Sequence, residues 1–253
     1  MSNVVLRILS YLLTIPSEYS IIPHASDCLI FTAALSQGDC GACAAFAVST
    51  LLAIRACLYE TEDFIPSPYR IFDCANASCN GGLSVIHAAS IANFGVGDIQ
   101  ESAQRFGLPC DLRWEHHARR ASRLSISAIG MNDPIQIKVT LLLFGPILAS
   151  GVATSHDVSV PDPSTGVYNH PIEHPYKHAL VLVGWDSSSN WIVQNSWGTT
   201  WGDEYGRGRI SHDVLLYAFD PIASTVLNVC SVAILICVLC AIVSSGVFKK
   251  WIH

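Results

Sequence analysis

Charged residues are scarce in this 253-residue sequence: Asp, Glu, Lys and Arg together make up 13% of it, whereas apolar residues make up 51%. The net charge is −6, and the basic run RRASR at residues 119–123 is short and typical of a solvated loop. These properties give no reason to expect a nucleic-acid partner. A composition this poor in charge favours a chain that contains a membrane segment.

One stretch has the length and composition of a membrane span. Residues 222–248 are 27 consecutive residues without a charge, and a helix of that length would extend about 40 Å, enough to cross a hydrocarbon core of about 30 Å. A buried core helix is the alternative, but the length and the lack of a polar face disfavour it. Because Lys249 and Lys250 follow, we expect residues 249–253 in the cytosol.

The first 14 residues agree with this orientation. They contain a short apolar run, interrupted by Arg7, and no acidic residue, which is compatible with a signal sequence. A buried N-terminal strand is the alternative. The two ends of the chain therefore predict a lumenal or extracellular domain over residues 15–220.

The ten cysteines fall into two groups. Cys230, Cys237 and Cys240 lie in the predicted span, where their simplest role is apolar packing. Seven precede it: Cys28, Cys40, Cys43, Cys57, Cys74, Cys79 and Cys110. A lumen is oxidising, so these cysteines should form disulfides, and their odd number leaves one thiol that needs another role.

Cys40 and Cys43 have the C-x-x-C spacing of a zinc site or of a redox pair. The second close pair, Cys74 and Cys79, is loosely spaced for zinc, and zinc–thiolate sites are less common where thiols oxidise. A redox pair should follow a strand, but here the polar turn QGD precedes it. We therefore expect neither a metal nor a redox function for this pair.

Cys43 opens a segment with helical character. Residues 43–60 contain no Gly or Pro and keep apolar residues at helical spacing, so Cys43 should stand in the first turn of a buried helix. The helix dipole favours a negative charge there, so we expect this thiol to ionise easily. His178 opens an apolar, strand-like run 135 residues later and is the candidate proton acceptor, and Asn195 follows after 17 more residues.

Several short motifs share the order and spacing of one known family: QGDCGAC at residues 37–43, CNGG at 79–82, GPI at 145–147, GVY at 166–168, KHALVLVGW at 177–185 and NSWGTTWG at 195–202. Through them, residues 15 to about 212 resemble the papain family of cysteine proteases, in which His and Asn lie about 130–150 residues after the cysteine. The resemblance implies a two-lobe α+β fold with the site in the cleft. The helical lobe would cover about residues 28–128 and the β-barrel-like lobe about 129–215, where short apolar runs alternate with turns.

The resemblance also implies roles for the site residues. Cys43 is the nucleophile, His178 forms its ion pair and protonates the leaving amine, and Asn195 orients the imidazole. Gln37 and the backbone N–H of Cys43 form an oxyanion hole, whose donors meet the charge of the tetrahedral intermediate.

Further residues are placed around this centre by the same resemblance. Trp197 shields the Asn–His hydrogen bond from water, and Gly81 and Gly82 form an open edge on which a substrate backbone pairs. Asn76, in the sequon Asn-Ala-Ser, is a candidate glycosylation site on a surface loop.

The family pattern also implies the disulfide pairing. It pairs Cys40 with Cys79 and Cys74 with Cys110. Cys28 and Cys57 remain and fit a further bridge of the cathepsin B branch. Three bridges and the free Cys43 account for all seven lumenal cysteines.

The sequence departs from the family in several places. Ala44 replaces the aromatic residue that follows the nucleophile, so the start of the helix should be more loosely packed. About 14 residues precede Ile15, too few for an inhibitory prodomain, and we expect no occluding loop of the cathepsin B type, because no further cysteine lies between Cys79 and Cys110. We interpret His116 and His117 as an exposed loop, and we expect the closing strand after residue 210 to be short or altered.

These features predict a membrane-anchored cysteine endopeptidase that cleaves peptides or proteins through an acyl-enzyme, without a metal or an organic cofactor. A preformed ion pair would support activity at mildly acidic pH, as in a lysosome-like or vacuolar lumen. The rival hypothesis is an inactive papain-like module that binds peptides or partners at the membrane. Ala44 and the missing prodomain favour that rival, whereas the set Gln37, Cys43, His178 and Asn195 disfavours it.

Overall fold

The computed structural model describes residues 14–24, 27–32, 35–60, 64–93, 95–99, 104–110, 124–131, 133–152, 156–157, 161–171, 177–212 and 217–223. Several predicted features lie outside these residues: positions 1–13 of the signal-like segment, the histidines at 116 and 117, the basic run at 119–123 and the chain from residue 224 onward.

Five α-helices lie in the described part of the chain: α1 (Leu29–Thr32), α2 (Cys43–Arg55), α3 (Pro68–Cys74), α4 (Val85–Asn93) and α5 (Pro134–Phe144). Short 3₁₀ helices cover Ile22–His24 and Gly198–Thr200, and a π-helical turn, Ala56–Glu60, continues α2.

Ten strands complete the described secondary structure: β1 (Tyr19–Ser20), β2 (Leu124–Met131), β3 (Ile147–Val152), β4 (His156–Asp157), β5 (Val167–Tyr168), β6 (His170–Pro171), β7 (His178–Trp185), β8 (Trp191–Gln194), β9 (Arg207–Ile210) and β10 (Tyr217–Ala223). Eight of them form one sheet in the order β2-β10-β3-β7-β8-β9-β5, with β1 paired to β7. The pairs are antiparallel except for β5 and β9. The strands β4 and β6 pair separately.

The helix starts differ in a way that matters for the site. The side chain of Ser67 caps α3 by accepting a hydrogen bond from the N–H of Arg70, and Asp133 caps α5 in the same way through the N–H of Ile135. Ala42, which precedes α2, offers no side-chain cap. The first N–H groups of α2 are therefore open to another acceptor.

The helix α2 forms the centre of the helical lobe. Every residue from Ala44 to Arg55 is buried, and the helix packs on α3, α4 and the strand β7. Apart from Ser49, Thr50 and Arg55 these residues are apolar, and a helix without a polar face has to lie inside the protein, because no face of it suits water.

The strand β7 is buried along its whole length because both of its faces are covered. Ala179, Val181 and Val183 belong to the hydrophobic core around α2, whereas Leu180 and Leu182 belong to a second core behind the sheet. This alternation is the two-residue period of a strand between two layers. It brings the start of β7 against the helical lobe.

The C-terminal part of the described chain corrects one prediction. Ile222 and Ala223, the first residues of the predicted span, lie in β10 and pair with Ser125 and Leu124 of β2. Hydropathy alone missed this strand because an apolar run suits a buried strand as well as a helix. No helix in the described residues combines the length and apolar character needed to cross a membrane.

The same two strands bear on the predicted organisation of the lobes. The strand β10 has seven residues and pairs with both β2 and β3, so the chain after residue 210 does return to the sheet. The strand β2 begins at Leu124, so it crosses the lobe boundary that we expect near residue 128.

Candidate active site

The helical lobe presents one free thiol. Cys43 is the first residue of α2, is partly buried and is the single free cysteine of the described residues. The backbone N–H groups of Ala179, Ala44 and Cys43 itself lie near its sulfur, and each of them lowers its pKa. Ala179 directly follows His178 in β7, so the start of α2 and the start of β7 meet at this sulfur.

The other described cysteines form three disulfides, which are the pairs that the resemblance implies: Cys28–Cys57, Cys40–Cys79 and Cys74–Cys110. The bridge of Cys40 to Cys79 joins the turn before Cys43 to the loop of Gly81 and Gly82. Three disulfides indicate folding in an oxidising compartment.

The imidazole of His178 is held by Asn195. The two side chains are buried, and His178 Nε2 lies 2.7 Å from Asn195 Oδ1. The same oxygen accepts a hydrogen bond of 2.8 Å from the backbone N–H of Ser196, which can only donate, so the atom is correctly placed as an acceptor. The proton of a neutral His178 is therefore on Nε2, which leaves Nδ1 as the basic nitrogen.

Aromatic rings cover this hydrogen bond. The centroids of the Trp197 and His178 rings are 4.6 Å apart, with 36° between their planes. Trp201 meets Trp197 edge to face at 6.0 Å and stacks on Tyr168 at 4.5 Å. A shielded bond between imidazole and carboxamide is electrostatically stronger than one in water.

Burial dominates the titration of both reactive groups. It lowers the pKa of His178 to about 4, against the opposing effect of the hydrogen bond to Asn195. It also raises the pKa of the Cys43 thiol, by more than the three N–H donors lower it. The expectation of an easily ionised thiol is therefore wrong in sign, because removal of the thiolate from water outweighs the helix N-terminus.

Gln37 lies on the other side of the turn that leads to Cys43. Its side chain is buried, and Nε2 donates to the carbonyl of Cys40 at 2.8 Å. Its Oε1 accepts from the hydroxyl of Ser196 at 2.7 Å. Its backbone N–H donates to the carbonyl of Ser196 at 2.9 Å, so the chain around residue 37 is fixed to the chain around residue 196.

The glycines around the cleft are required by close packing. The N–H of Gly41 donates to the carbonyl of Cys79 at 2.9 Å, and a Cβ on Gly41 would lie 2.6 Å from that oxygen. Gly82 has φ of +69°, a conformation that favours glycine. Gly81 beside it is exposed and leaves the edge of this loop open.

Sequence reasoning missed two contributors to this arrangement. The N–H of Ala179 at the thiol is invisible in sequence, because any residue there supplies the same group. Ser196 could have been found, since it stands between Asn195 and Trp197 in the motif NSWG.

The predicted glycosylation site lies apart from this arrangement. Asn76 is exposed in a turn with φ of 51°, so its side chain is accessible.

The fold and the site define a class of protein. An α+β fold with a thiol at a helix N-terminus, against a strand that begins with a buried histidine, is that of cysteine-type peptidases. The sequence matches the papain family of cysteine proteases over residues 23–216. The chain therefore belongs to the papain family.

Individual relatives agree with this assignment. Cathepsin L of Sarcophaga peregrina is 28% identical over 205 residues, which are 75% of this chain and 59% of the relative. Cathepsin F of Mus musculus is 26% identical over 186 residues, 67% of this chain and 37% of the relative. The chain thus spans less than two thirds of the length of these curated relatives.

Solved structures share the fold. The structure of proCathepsin B S9 from Trypanosoma congolense has a TM-score of 0.66 at 18% identity, covering 86% of this chain and 80% of that one. A recombinant stem bromelain precursor has a TM-score of 0.62 at 18% identity, covering 89% and 74%.

Proposed function

We propose that this chain hydrolyses peptide bonds through an acyl-enzyme on Cys43, with His178 as the acid–base residue and Asn195 as its orienting partner. One observation carries the proposal. The helix that begins at Cys43 packs on the strand that begins at His178, with the N–H of Ala179 near the sulfur, while His178 donates to Asn195 at 2.7 Å and keeps Nδ1 free as a base. The thiol and the basic nitrogen thus belong to segments that are in direct contact.

In the first half of the reaction, the sulfur of Cys43 attacks the peptide carbonyl carbon as its proton passes to Nδ1 of His178. The resulting imidazolium gives this proton to the leaving amine when the C–N bond breaks, and a thioester remains on Cys43. In the second half, His178 takes a proton from water, and the hydroxide adds to the thioester carbonyl. The acid leaves, and the proton returns to the thiolate.

Two donors are available for the negative oxygen of each tetrahedral intermediate. One is the backbone N–H of Cys43, at the uncapped start of α2. The other is the second proton of Gln37 Nε2, since only the first is used by the carbonyl of Cys40. Donors that are fixed before the reaction stabilise charge without reorganisation.

The surroundings support a lumenal enzyme. We propose that the exposed edge at Gly81 and Gly82 pairs with the substrate backbone, and that Trp197 excludes water from His178. The Cys28–Cys57 bridge supports a place near the cathepsin B branch. We further propose that the enzyme works in an oxidising, lysosome-like or vacuolar lumen. It would be glycosylated at Asn76 and anchored to the membrane through residues after 223.

Hydrolysis of a fluorogenic peptide by the full chain tests this function. We expect turnover at pH 5–7 by the wild type and at least 1,000-fold slower turnover by Cys43→Ser, a loss on the order of that seen when a catalytic nucleophile is removed. Equal turnover by both proteins would assign the activity to a contaminant and refute the proposal.

A second candidate is an inactive module that binds peptides. The raised pKa of Cys43 favours it, as does Ala44 in place of an aromatic residue. The wild type and Cys43→Ser forms of such a module would bind a peptide with the same affinity, and both would release it uncut.

A further inference from the structure

We infer that a cavity on the β lobe is a second binding site, for small molecules that carry a carboxylate on an apolar body. The cavity has a volume of about 500 Å³, which is within the range of small-molecule sites in proteins. None of the described residues that line it belongs to the set of Gln37, Cys43, His178 and Asn195. The inference therefore goes beyond the proposed function and does not depend on it.

One part of the cavity wall is apolar and comes from separate segments of the chain. Ile22 lies in the N-terminal 3₁₀ helix, Pro161 precedes β5, and Ile192 lies in β8. Tyr168 of β5 also lines the cavity. A wall of this kind favours an aliphatic or aromatic ligand body, because binding removes the apolar surface of that body from water.

The other part of the wall carries two guanidinium groups. Arg207 and Arg209 are two residues apart in β9, so their side chains stand on the same face of the strand. Ile192 lies opposite Arg209 in the neighbouring strand, so the cationic and apolar parts of the wall adjoin. The described lining contains one carboxylate, that of Asp203, so positive charge is in excess and favours an anionic ligand group.

Both guanidinium groups are held in place and keep N–H groups for a ligand. Nε of Arg207 donates to Asp203 Oδ2 at 2.8 Å, and its Nη atoms have no acceptor among the described residues. Nη2 of Arg209 donates to the carbonyl of Thr165 at 2.9 Å, whereas Nη1 lies 3.5 Å from Asp186 Oδ2, longer than a usual hydrogen bond. Because a guanidinium has five N–H donors, each group can still bind a carboxylate, which favours two parallel N–H···O bonds.

The cavity has local reporters of binding in its own wall. Gly202 and Gly208 line it on the side of Trp201. Gly202 donates its N–H to the Tyr168 hydroxyl at 2.9 Å, and a Cβ on Gly208 would lie 2.6 Å from the Trp201 ring. A ligand in the cavity should therefore shift the amide NMR signals of these two glycines, whereas a ligand in the catalytic cleft should shift that of Gly82.

An NMR titration of the ¹⁵N-labelled full chain tests the inference, with N-acetyl-L-phenylalanine as the probe. We expect saturable shifts at Gly202 and Gly208 with a Kd on the order of 1 mM, as for other ligands of this size, and no shift at Gly82. N-acetyl-L-phenylalanine amide, which lacks the charge, and inorganic phosphate, which lacks the apolar body, should each bind at least about tenfold more weakly.

A second probe distinguishes the source of the carboxylate. Tighter binding of octanoate than of N-acetyl-L-phenylalanine would support the site as one for fatty acids, and the reverse order would support it as one for peptide carboxyl termini. A Kd above about 10 mM for both probes, far weaker than their size allows, would overturn the inference. Shifts at Gly82 in place of Gly202 and Gly208 would also overturn it.

Arg209→Gln tests the same site from the protein side. The side chain of Arg209 is 47% exposed, so the variant should fold with the Tm of the wild type, and the loss of charge-assisted hydrogen bonds should weaken binding at least about tenfold. Arg105→Gln is the matched control, because Arg105 is an exposed arginine outside the cavity, and its Kd should equal that of the wild type. An unchanged Kd in Arg209→Gln, or an amide probe that binds as tightly as the acid, would refute the assignment.

Discussion

The hydrogen bond between His178 and Asn195 gives the sharpest single prediction. Replacing Asn195 by Ala leaves the buried Nε2–H of His178 without its acceptor, which now lies at 2.7 Å. A buried donor without a partner costs about 1–3 kcal/mol, so kcat/KM for a fluorogenic peptide should fall by roughly 5- to 150-fold. A value within twofold of the wild type would refute the role assigned to Asn195.

The pH dependence of the same variants tests the electrostatic part of this reasoning. The bond to Asn195 raises the pKa of His178, which burial holds at about 4. Asn195→Ala removes this bond, so the low-pH limb of the kcat/KM profile should move to lower pH. Asn195→Asp places a carboxylate against the ring and should move the acid limb to higher pH. Shifts in the same direction for both variants would contradict the account.

Asn190→Ala is the matched control for this series. Asn190 donates its side-chain amide to Asp186 at 3.0 Å, in the turn between β7 and β8. This turn lies at the far end of β7 from His178, so the variant loses a carboxamide from the same lobe without touching the site. We expect its kcat/KM and its acid limb to match those of the wild type.

Three further predictions follow from the geometry. At pH 6, burial should keep His178 neutral and Cys43 a thiol, so the ultraviolet absorbance of the wild type should show no thiolate. A thiolate absorbance that is lost in Cys43→Ser would contradict this and show that the attraction within the ion pair outweighs burial. Gly41→Ala places a Cβ 2.6 Å from the carbonyl of Cys79 and should lower stability by about 1–3 kcal/mol, measured as a fall in Tm, whereas an unchanged Tm would exclude this clash. Wild-type protein made in a secretory pathway should lose mass on enzymatic deglycosylation, whereas Asn76→Gln should not. A wild-type mass that is the same before and after deglycosylation would show that Asn76 carries no glycan.

Local features of the site could be predicted from sequence. The helix begins at Cys43 because the residues after it contain no Gly or Pro and keep apolar residues at helical spacing. The strand β7 begins at His178 because a continuous apolar run follows that residue. These two signals are local, and they placed both reactive side chains at the ends of their elements.

The rest depends on the packed structure. The burial that raises the pKa of Cys43 arises only in the packed structure, where α2 packs against β7, and it outweighs the N–H groups around the sulfur, which lower that pKa. The strand at Ile222 and Ala223 exists because β2 supplies its partner, and no pattern within one apolar run shows such a partner. Long-range pairing and desolvation are thus what the sequence pattern leaves open.

The central claim is that the sulfur of Cys43 reacts through the imidazole of His178. Labelling of the reduced full chain with a peptidyl epoxide at pH 6, followed by intact-mass analysis and peptide mapping, tests it most directly. We predict one adduct, on Cys43, formed by the wild type and strongly slowed in His178→Ala. A folded wild type that takes up no adduct, or a His178→Ala variant that is labelled at the same rate, would contradict the claim.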